Sequence, residues 1–137
     1  MKGFTLILQD ATRGERIEGV TRFVGEDGSG GFGLLPGHAR FMTTLRLGLA
    51  RFRIGAGQWS YLALPGAVLY FHDNLLTLST RRYFLDQDYS RISQALHQQL
   101  LMEEARLRQM RQSLQRMEEE ILRRLWEIGR RGPGGAG

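Results

Sequence analysis

Two hydrophobic periods divide the sequence near residue 86. Before that point, short runs of aliphatic and aromatic residues are separated by glycine, asparagine and aspartate, which is typical of strands joined by tight turns. Within some runs apolar and polar residues alternate, as Leu76 and Leu78 do with Thr77 and Ser79. The pattern predicts strands at residues 4–9, 16–25, 49–55, 59–64, 67–72 and 75–80, with hairpin turns at residues 55–57 and 72–74.

After Asp88 the apolar residues recur mostly every three or four positions, and residues 89–128 contain no glycine or proline. This spacing places them on one face of an α-helix. Asp88 or Ser90 is suited to cap its start, and Gly129 with the glycine-rich tail is suited to end it. Glutamate and arginine four residues apart, which stabilise an exposed helix, occur at Glu104/Arg108, Glu119/Arg123, Glu120/Arg124 and Glu127/Arg131.

These periods predict three regions. Residues 1–86 are expected to form an all-β sandwich of about ten short strands. Residues 87–131 are expected to form an amphipathic α-helical segment, either a hairpin or one long helix. Residues 132–137 are expected to form a flexible glycine-rich tail. A helix of about ten turns exposes more apolar surface than so small a β-domain can cover, so we expect it to pack on itself or on another protein.

Composition narrows the classes of function. There is no cysteine among the 137 residues, which excludes disulfides and thiolate metal sites. The net charge is +5, but residues 1–86 hold ten basic and seven acidic groups and residues 87–137 hold nine and seven. This even spread argues against the basic stripe of a nucleic-acid-binding protein. No apolar run is long enough to span a membrane, so we expect a soluble chain.

A literal G-x-G-x-x-G occurs at Gly28, Gly30 and Gly33. A dinucleotide loop requires a helix directly after the glycines, so that the helix N-terminus faces the pyrophosphate. Here Pro36 and Gly37 follow within four residues, which breaks any such helix. We therefore interpret the stretch as a glycine-rich turn that enters a strand.

Catalytic and metal chemistry find little support in the pattern. The three histidines, His38, His72 and His97, lie at unrelated turns and on the helix, without the spacing of metal ligands. No nucleophile has a recognisable elbow motif. We predict no metal site and no enzymatic activity in this chain, and a rigid turn at residues 36–39 in which His38 bonds to the backbone.

The stretch GGFGLLPGHARFMTTLRLG, residues 30–48, resembles the signature of the epsilon subunit of F-type ATP synthases. The family motif has two glycines, then Pro-Gly-His-Ala, then threonine, an aliphatic residue and glycine. The matching residues here are Gly31, Gly33, Pro36, Gly37, His38, Ala39, Thr43, Leu45 and Gly48. The segment LALPGAVLYFHDNLLTLST resembles a second family segment, and the order of β-sandwich and helix agrees as well. The resemblance covers residues 3–131.

The resemblance implies a non-catalytic central-stalk subunit, peripheral on the cytoplasmic face of the bacterial inner membrane. In the family the sandwich binds the γ subunit and rests on the rotor ring of c subunits. Its glycine-rich turn and Pro-Gly-His-Ala segment lie at the ring, where stiffness rather than catalysis is needed. The implied contact residues are Gly31, Phe32, Gly33, Pro36, Gly37, His38 and Thr43.

The resemblance also implies two regulatory features. The family's C-terminal helices can extend and block ATP hydrolysis by meeting acidic residues of the catalytic β subunits. The candidate arginines are Arg106, Arg108, Arg111, Arg116, Arg123 and Arg124. Some bacterial members bind ATP at an Ile/Leu-Asp-x-x-Arg-Ala motif, which is incomplete here. We therefore predict no cofactor, and keep Asp88 and Arg91 as the candidate nucleotide contacts.

A second function remains open on the residues alone. The apolar stripe has a spacing that supports coiled-coil formation equally well, so the alternative function is a stand-alone β-barrel adaptor or a nucleic-acid-binding protein that dimerises through its helix. A steep salt dependence of binding to single-stranded nucleic acid would favour this alternative.

Overall fold

The structure is a computed structural model that describes residues 3–135, with side chains as far as residue 130. Within these described residues, nine strands precede one helix. Their bounds are β1 Phe4–Gln9, β2 Gly14–Asp27, β3 Gly30–Leu34, β4 Phe41–Leu45, β5 Gly48–Ile54, β6 Trp59–Leu64, β7 Ala67–His72, β8 Leu75–Thr80, β9 Phe84–Asp86 and α1 Tyr89–Gly135. The predicted all-β domain followed by a helical segment is confirmed, with nine strands in the place of about ten.

Strand β2 joins the two layers of the sandwich. One layer has the order β2, β1, β8, β7, β4, and the other has β3, β2, β5, β6, β9. The first part of β2 pairs with β1, while its later part pairs with β5 and β3 and meets β4 at Asp27. A strand of 14 residues is long enough to serve both layers. Because β2 pairs with β1 at one end of the first layer and with β4 at the other end, the strands close around the core.

The change of layer occurs at Gly19. Its φ of +75° lies in the left-handed region, which glycine enters without steric cost. The ladder register shifts on both sides of this point, between Phe4 and Leu6 and between Val20 and Arg22. A bulge of this kind bends a strand and increases its twist. A Cβ at Gly3 would lie 2.5 Å from the Gly19 carbonyl carbon, so the two backbones meet too closely for a side chain.

Inward-facing residues of both layers fill a single core. Alternation puts Phe4, Leu6 and Leu8 of β1 inside, each at most 1% exposed. Phe23, Phe52 and other aromatic and aliphatic side chains meet them from the second layer. The predicted hairpin turns are present as well: Asp73 and Asn74 have φ of 49° and 57° between β7 and β8, as a type I′ turn requires.

Helix α1 is continuous from Tyr89 to Gly135, so of the two forms that the sequence left open the single long helix is present. Gly129 does not end it, because Gly129 lacks the positive φ of a glycine C-cap. Of the tail predicted at 132–137, residues 132–135 belong to the helix and residues 136–137 lie outside the described residues.

Two compact units divide the chain, one reaching Leu101 and the other beginning at Met102. The first unit extends beyond the boundary predicted at residue 86, because the first turns of α1 pack on the sandwich. Ile92 is 1% exposed there, and the Gln99 amide donates a hydrogen bond to the Ala63 carbonyl at 3.5 Å. As far as residue 130, where side chains are described, the second unit is one helical segment with mostly exposed side chains.

Candidate docking site

The β3–β4 loop is a tight turn tied to a neighbouring hairpin. The His38 amide donates to the Leu35 carbonyl at 3.1 Å, and Gly37 has a φ of +81°. Proline followed by a glycine of positive φ is the sequence that a type II turn requires. The Gly37 amide donates to the Asn74 Oδ1 at 2.6 Å, which fastens the loop to the β7–β8 turn. The predicted rigid turn is therefore present, and Asn74 is a partner that the sequence reasoning missed.

The His38 ring is fixed by the backbone and by aromatic packing. Its Nδ1 lies 2.7 Å from the Ala39 carbonyl oxygen, as predicted for a turn histidine. The centroid of its ring lies 5.8 Å from that of Phe41 and 5.9 Å from that of Phe71, and both ring pairs are edge-on. The Phe41 ring in turn packs against the Phe32 ring, with 5.2 Å between the centroids. Phe71 is fully buried, so this aromatic row connects the exposed loop to the core.

Asp27 is a second feature that the sequence reasoning missed. It is 8% exposed, and its carboxylate accepts hydrogen bonds from the Ser29 hydroxyl at 2.6 Å and the Thr43 hydroxyl at 2.7 Å. These hydroxyls, the Ser29 hydroxyl foremost, and the Ser29 amide hold the pKa of Asp27 below its usual range. The Asp-Gly-Ser sequence, in which an aspartate bonds to the backbone two residues on, was the available signal.

The predicted contact residues thus lie in three places. Gly31, Phe32 and Gly33 lie on β3, and Pro36, Gly37 and His38 lie in the loop, where the aromatic row links Phe32 to His38. Thr43 faces inward on β4 and its hydroxyl is engaged by Asp27. The G-x-G-x-x-G glycines form the β2–β3 hairpin, whose ladder pairs Asp27 with Gly30. The interpretation of this motif as a turn entering a strand is confirmed.

Comparisons with known proteins show the family to which the chain belongs. The family model described as ATP synthase, Delta/Epsilon chain, beta-sandwich domain matches residues 11–85. The chain is 34% identical over 118 residues to ATP synthase epsilon chain 2 of Cereibacter sphaeroides, covering 85% of this chain and 81% of that protein. The chain belongs to the ATP synthase epsilon chain family. It is also 40% identical over 50 residues, 36% of each chain, to the chloroplastic ATP synthase epsilon chain of Huperzia lucidula.

Solved structures share the fold of this epsilon-family chain. A chain from the central stalk/c-ring structure of the Tetrahymena thermophila mitochondrial ATP synthase matches with a TM-score of 0.52 at 14% identity, over 61% of this chain and 69% of that one. A chain from the OSCP/F1/c-ring structure of the Euglena gracilis mitochondrial ATP synthase matches with a TM-score of 0.56 at 17% identity, over 71% and 62%. The resemblance noted in the sequence is confirmed.

The two candidate nucleotide contacts have structural partners in this epsilon-family chain. Asp88 caps α1, as predicted, because its Oδ1 accepts from the Ser90 amide at 2.8 Å. Arg91 donates two hydrogen bonds to the Asp86 carboxylate, at 2.9 and 3.0 Å. This ion pair lowers the pKa of Asp86, together with the Asp88 amide, and raises that of Arg91. A nucleotide phosphate would have to displace Asp86 from the guanidinium.

The candidate inhibitory arginines all lie on α1 of the second unit. Arg124 pairs with Glu120 at 3.0 Å, as predicted, and Arg106 pairs with Glu103 three residues away. Among the described side chains the pairs predicted at Glu104/Arg108 and Glu119/Arg123 are not formed within 4 Å, and Glu127/Arg131 lies outside those side chains. An exposed pair of this spacing gains only about 0.3–0.5 kcal/mol, too little to fix two long side chains.

The outer face of the β4–β7 pair carries exposed apolar side chains that sequence reasoning did not single out. Met42 is 67% exposed and Val68 is 46% exposed, and both point away from the core. Their signal is an apolar residue at the outward position of an alternating strand. Among residues 3–135, no helix is long and apolar enough to cross a membrane. The described residues also include no cluster of three metal-ligating side chains.

Proposed function

We propose that this chain is the non-catalytic central-stalk epsilon subunit of a rotary ATP synthase, a peripheral component on the cytoplasmic face of a bacterial inner membrane. Membership of the epsilon family along most of the chain carries this proposal. The sandwich would bind the γ subunit and rest on the c-subunit ring, and so would join the catalytic head to the rotor. Co-purification of the full chain with the γ subunit of its own organism tests the assignment, and failure to bind would contradict it.

We assign the ring contact to the β3–β4 loop with Phe32 and His38. A contact that transmits torque needs side chains that do not yield, and the loop is fastened on two sides. The Asn74 side chain holds Gly37, and the aromatic row holds His38 against the buried Phe71. The Arg40 guanidinium, 5.6 Å from the centroid of the Tyr70 ring, adds a positive charge at the end of the same loop. Stiffness here follows from hydrogen bonds and packing and requires no reacting group.

Loosening the loop tests this assignment. Asn74→Gly keeps the positive φ of the turn but removes the oxygen that accepts from Gly37. The control is Asp10→Gly, which removes a comparable side-chain acceptor at the other end of β1, where Asp10 holds the Thr12 and Arg13 amides at 2.8 and 2.9 Å. We expect only Asn74→Gly to weaken retention of the c-ring in the purified complex. Equal loss in both variants would refute the loop as the ring contact.

We assign the γ contact to the outer face that displays Met42 and Val68. Exposed apolar side chains gathered on one sheet face are the kind of surface that a partner covers. Met42→Lys should abolish co-purification with γ, whereas Gln58→Lys, the same change of charge in the exposed β5–β6 turn, should not. Retention of γ by the Met42→Lys chain would place the contact on another face.

The second unit is proposed to restrain ATP hydrolysis by extension toward the catalytic β subunits. The candidate arginines remain largely exposed, and Arg116 and Arg123 form no ion pair within 4 Å among the described side chains. Replacing both by glutamine should raise ATP hydrolysis by the assembled complex without changing its subunit content. Replacing Gln109 and Gln112 by alanine is the matched control on the same helix. Unchanged hydrolysis in the arginine variant would remove these two side chains from the mechanism.

A further inference from the structure

The second unit exposes a continuous apolar stripe. Seven apolar side chains, each 47–65% exposed, recur at intervals of three or four residues, so they lie on one face of α1. They are Leu107, Met110, Leu114, Met117, Ile121, Leu125 and Ile128. The first five follow the a and d positions of a heptad repeat without interruption. A helix gains most of its stability by burying such a face, so the stripe is suited to a helical partner.

We propose that this stripe is covered by a second copy of the same helix, running antiparallel, when the chain is not bound in its complex. The register that fills the seam places Leu114 against Met117 of the second copy, and Met110 against Ile121. Leu107 then meets Leu125 and the aliphatic stem of Arg124. The two central layers, Leu114 with Met117 and Met110 with Ile121, are each made by two residues of the stripe, and two-fold symmetry repeats each contact.

The charges beside the stripe select this orientation. In the antiparallel register, Arg111 at an e position faces Glu118 of the second copy, and Arg106 at a g position faces Glu127. By symmetry each pair occurs twice, so the interface has four contacts between opposite charges. Arg111 and Glu118 form no ion pair within 4 Å among the described side chains of their own chain, so both are available.

A parallel dimer in register would reverse this electrostatic pattern. Arg106 would then face Arg111 of the second copy, and Arg124 at a d position would meet Arg124 across the seam. Charges of the same sign directly opposite each other weaken a coiled coil and specify against that partner arrangement. The helix therefore encodes antiparallel pairing with itself. This inference rests on the second unit alone and does not depend on the proposed role in the stalk.

Charge substitution in the full-length chain tests the interface. Arg111→Glu should raise the dimer dissociation constant about tenfold, because two attractive exposed contacts become repulsive. Arg108→Glu makes the same change of charge on the outward face and should leave the constant within about twofold. The double variant Arg111→Glu with Glu118→Arg should restore the dimer. Sedimentation velocity measures all four chains, and circular dichroism confirms that each is equally helical.

Single cysteines test the orientation directly, since the chain has no cysteine of its own. A mixture of Leu107→Cys and Leu125→Cys chains should form a disulfide-linked heterodimer. Leu107→Cys alone should not cross-link, because in the antiparallel register its two copies lie about 25 Å apart at 1.5 Å per residue. Cross-linking of Leu107→Cys with itself would overturn the antiparallel arrangement. A chain that stays monomeric at roughly 100 µM, where a complex with a Kd of about 10 µM would be mostly dimeric, would overturn the proposal.

Discussion

Gly25 offers a sensitive test of how the sandwich is packed beneath strand β3, which carries the candidate contact residue Phe32. A Cβ at this position would lie 3.0 Å from the Phe23 Cε1, 3.2 Å from the Leu45 Cδ2 and 3.2 Å from the Phe32 Cζ. Phe23 and Leu45 are at most 3% exposed and have no room to move. Phe32 is half-buried, so Gly25→Ala should push its ring outward from β3. The substitution should therefore disturb both the packing of the core and the position of Phe32 on the docking surface.

The expected magnitude follows from two opposing terms. Overpacking a filled core costs about 1–3 kcal/mol. Replacing glycine by alanine stabilises the fold by about 0.4–1 kcal/mol, because the unfolded chain loses freedom. The net change for Gly25→Ala is then a destabilisation of about 1–2 kcal/mol. With a urea m-value of about 1–3 kcal/mol/M, this lowers the midpoint by roughly 0.3–2 M.

Gly31→Ala is the matched control, since Gly31 lies opposite Glu26 in the same β2–β3 ladder. Its Cβ would meet only the Gly25 carbonyl oxygen, at 3.9 Å. This variant should therefore show the entropic gain without the clash. Urea unfolding followed by Trp59 fluorescence, in a background where Trp126 is replaced by phenylalanine, reports on the sandwich alone. A midpoint for Gly25→Ala equal to or above that of Gly31→Ala would refute the packing described here.

Three further changes have defined outcomes. The folded-state pKa of Asp27 lies below its unfolded value, mainly through the Ser29 hydroxyl, so Asp27 contributes stability that is present above about pH 4 and is lost on acidification through its folded pKa. In plots of the urea midpoint against pH, Asp27→Asn should therefore flatten the acid limb relative to the control Glu26→Gln. Parallel acid limbs in the two variants would contradict the hydrogen-bonded carboxylate. Asp88→Ala should lower the stability of the start of α1 by about 1 kcal/mol, because the helix loses its cap. Hydrogen exchange in the first turn of α1 should then be faster, and unchanged exchange would show that the cap is dispensable. Gly129→Ala should raise helix stability by about 1 kcal/mol, because the helix continues through this residue; a fall in helical circular dichroism would mean that Gly129 ends the helix after all.

Much of the sandwich is predictable because its strands alternate and their turns carry distinctive residues. All six predicted strands are present, and the Asp73-Asn74 turn adopts the positive φ values that its residues favour. Strand β3 was visible only as the continuation of a turn, since three of its five residues are glycine. Its extended form depends on the ladder with β2, a partner that local propensity does not reveal.

The candidate site was only partly predictable for a related reason. The Pro36-Gly37 turn follows from the conformations that these two residues prefer. Its attachment to Asn74 and the packing of His38 on Phe71 join residues more than 30 positions apart, and one sequence gives no register between such strands. For the helix, the sequence shows the period clearly, but Gly129 does not end the helix as its residue type predicts. Glycine permits a left-handed cap without imposing one.

Cross-linking from the β3–β4 loop in the assembled complex is the most direct test of whether this loop contacts the c-subunit ring. Ala39→Cys and Ala11→Cys place the same small side chain at exposed positions, in the β3–β4 loop and in the β1–β2 turn respectively. Each purified complex would be treated with a short photoactivated thiol reagent, and the attached polypeptides identified by mass spectrometry. We expect c-subunit adducts from Ala39→Cys and none from Ala11→Cys. Adducts with the c subunit from Ala11→Cys alone would contradict the assignment of this loop as the surface that rests on the rotor.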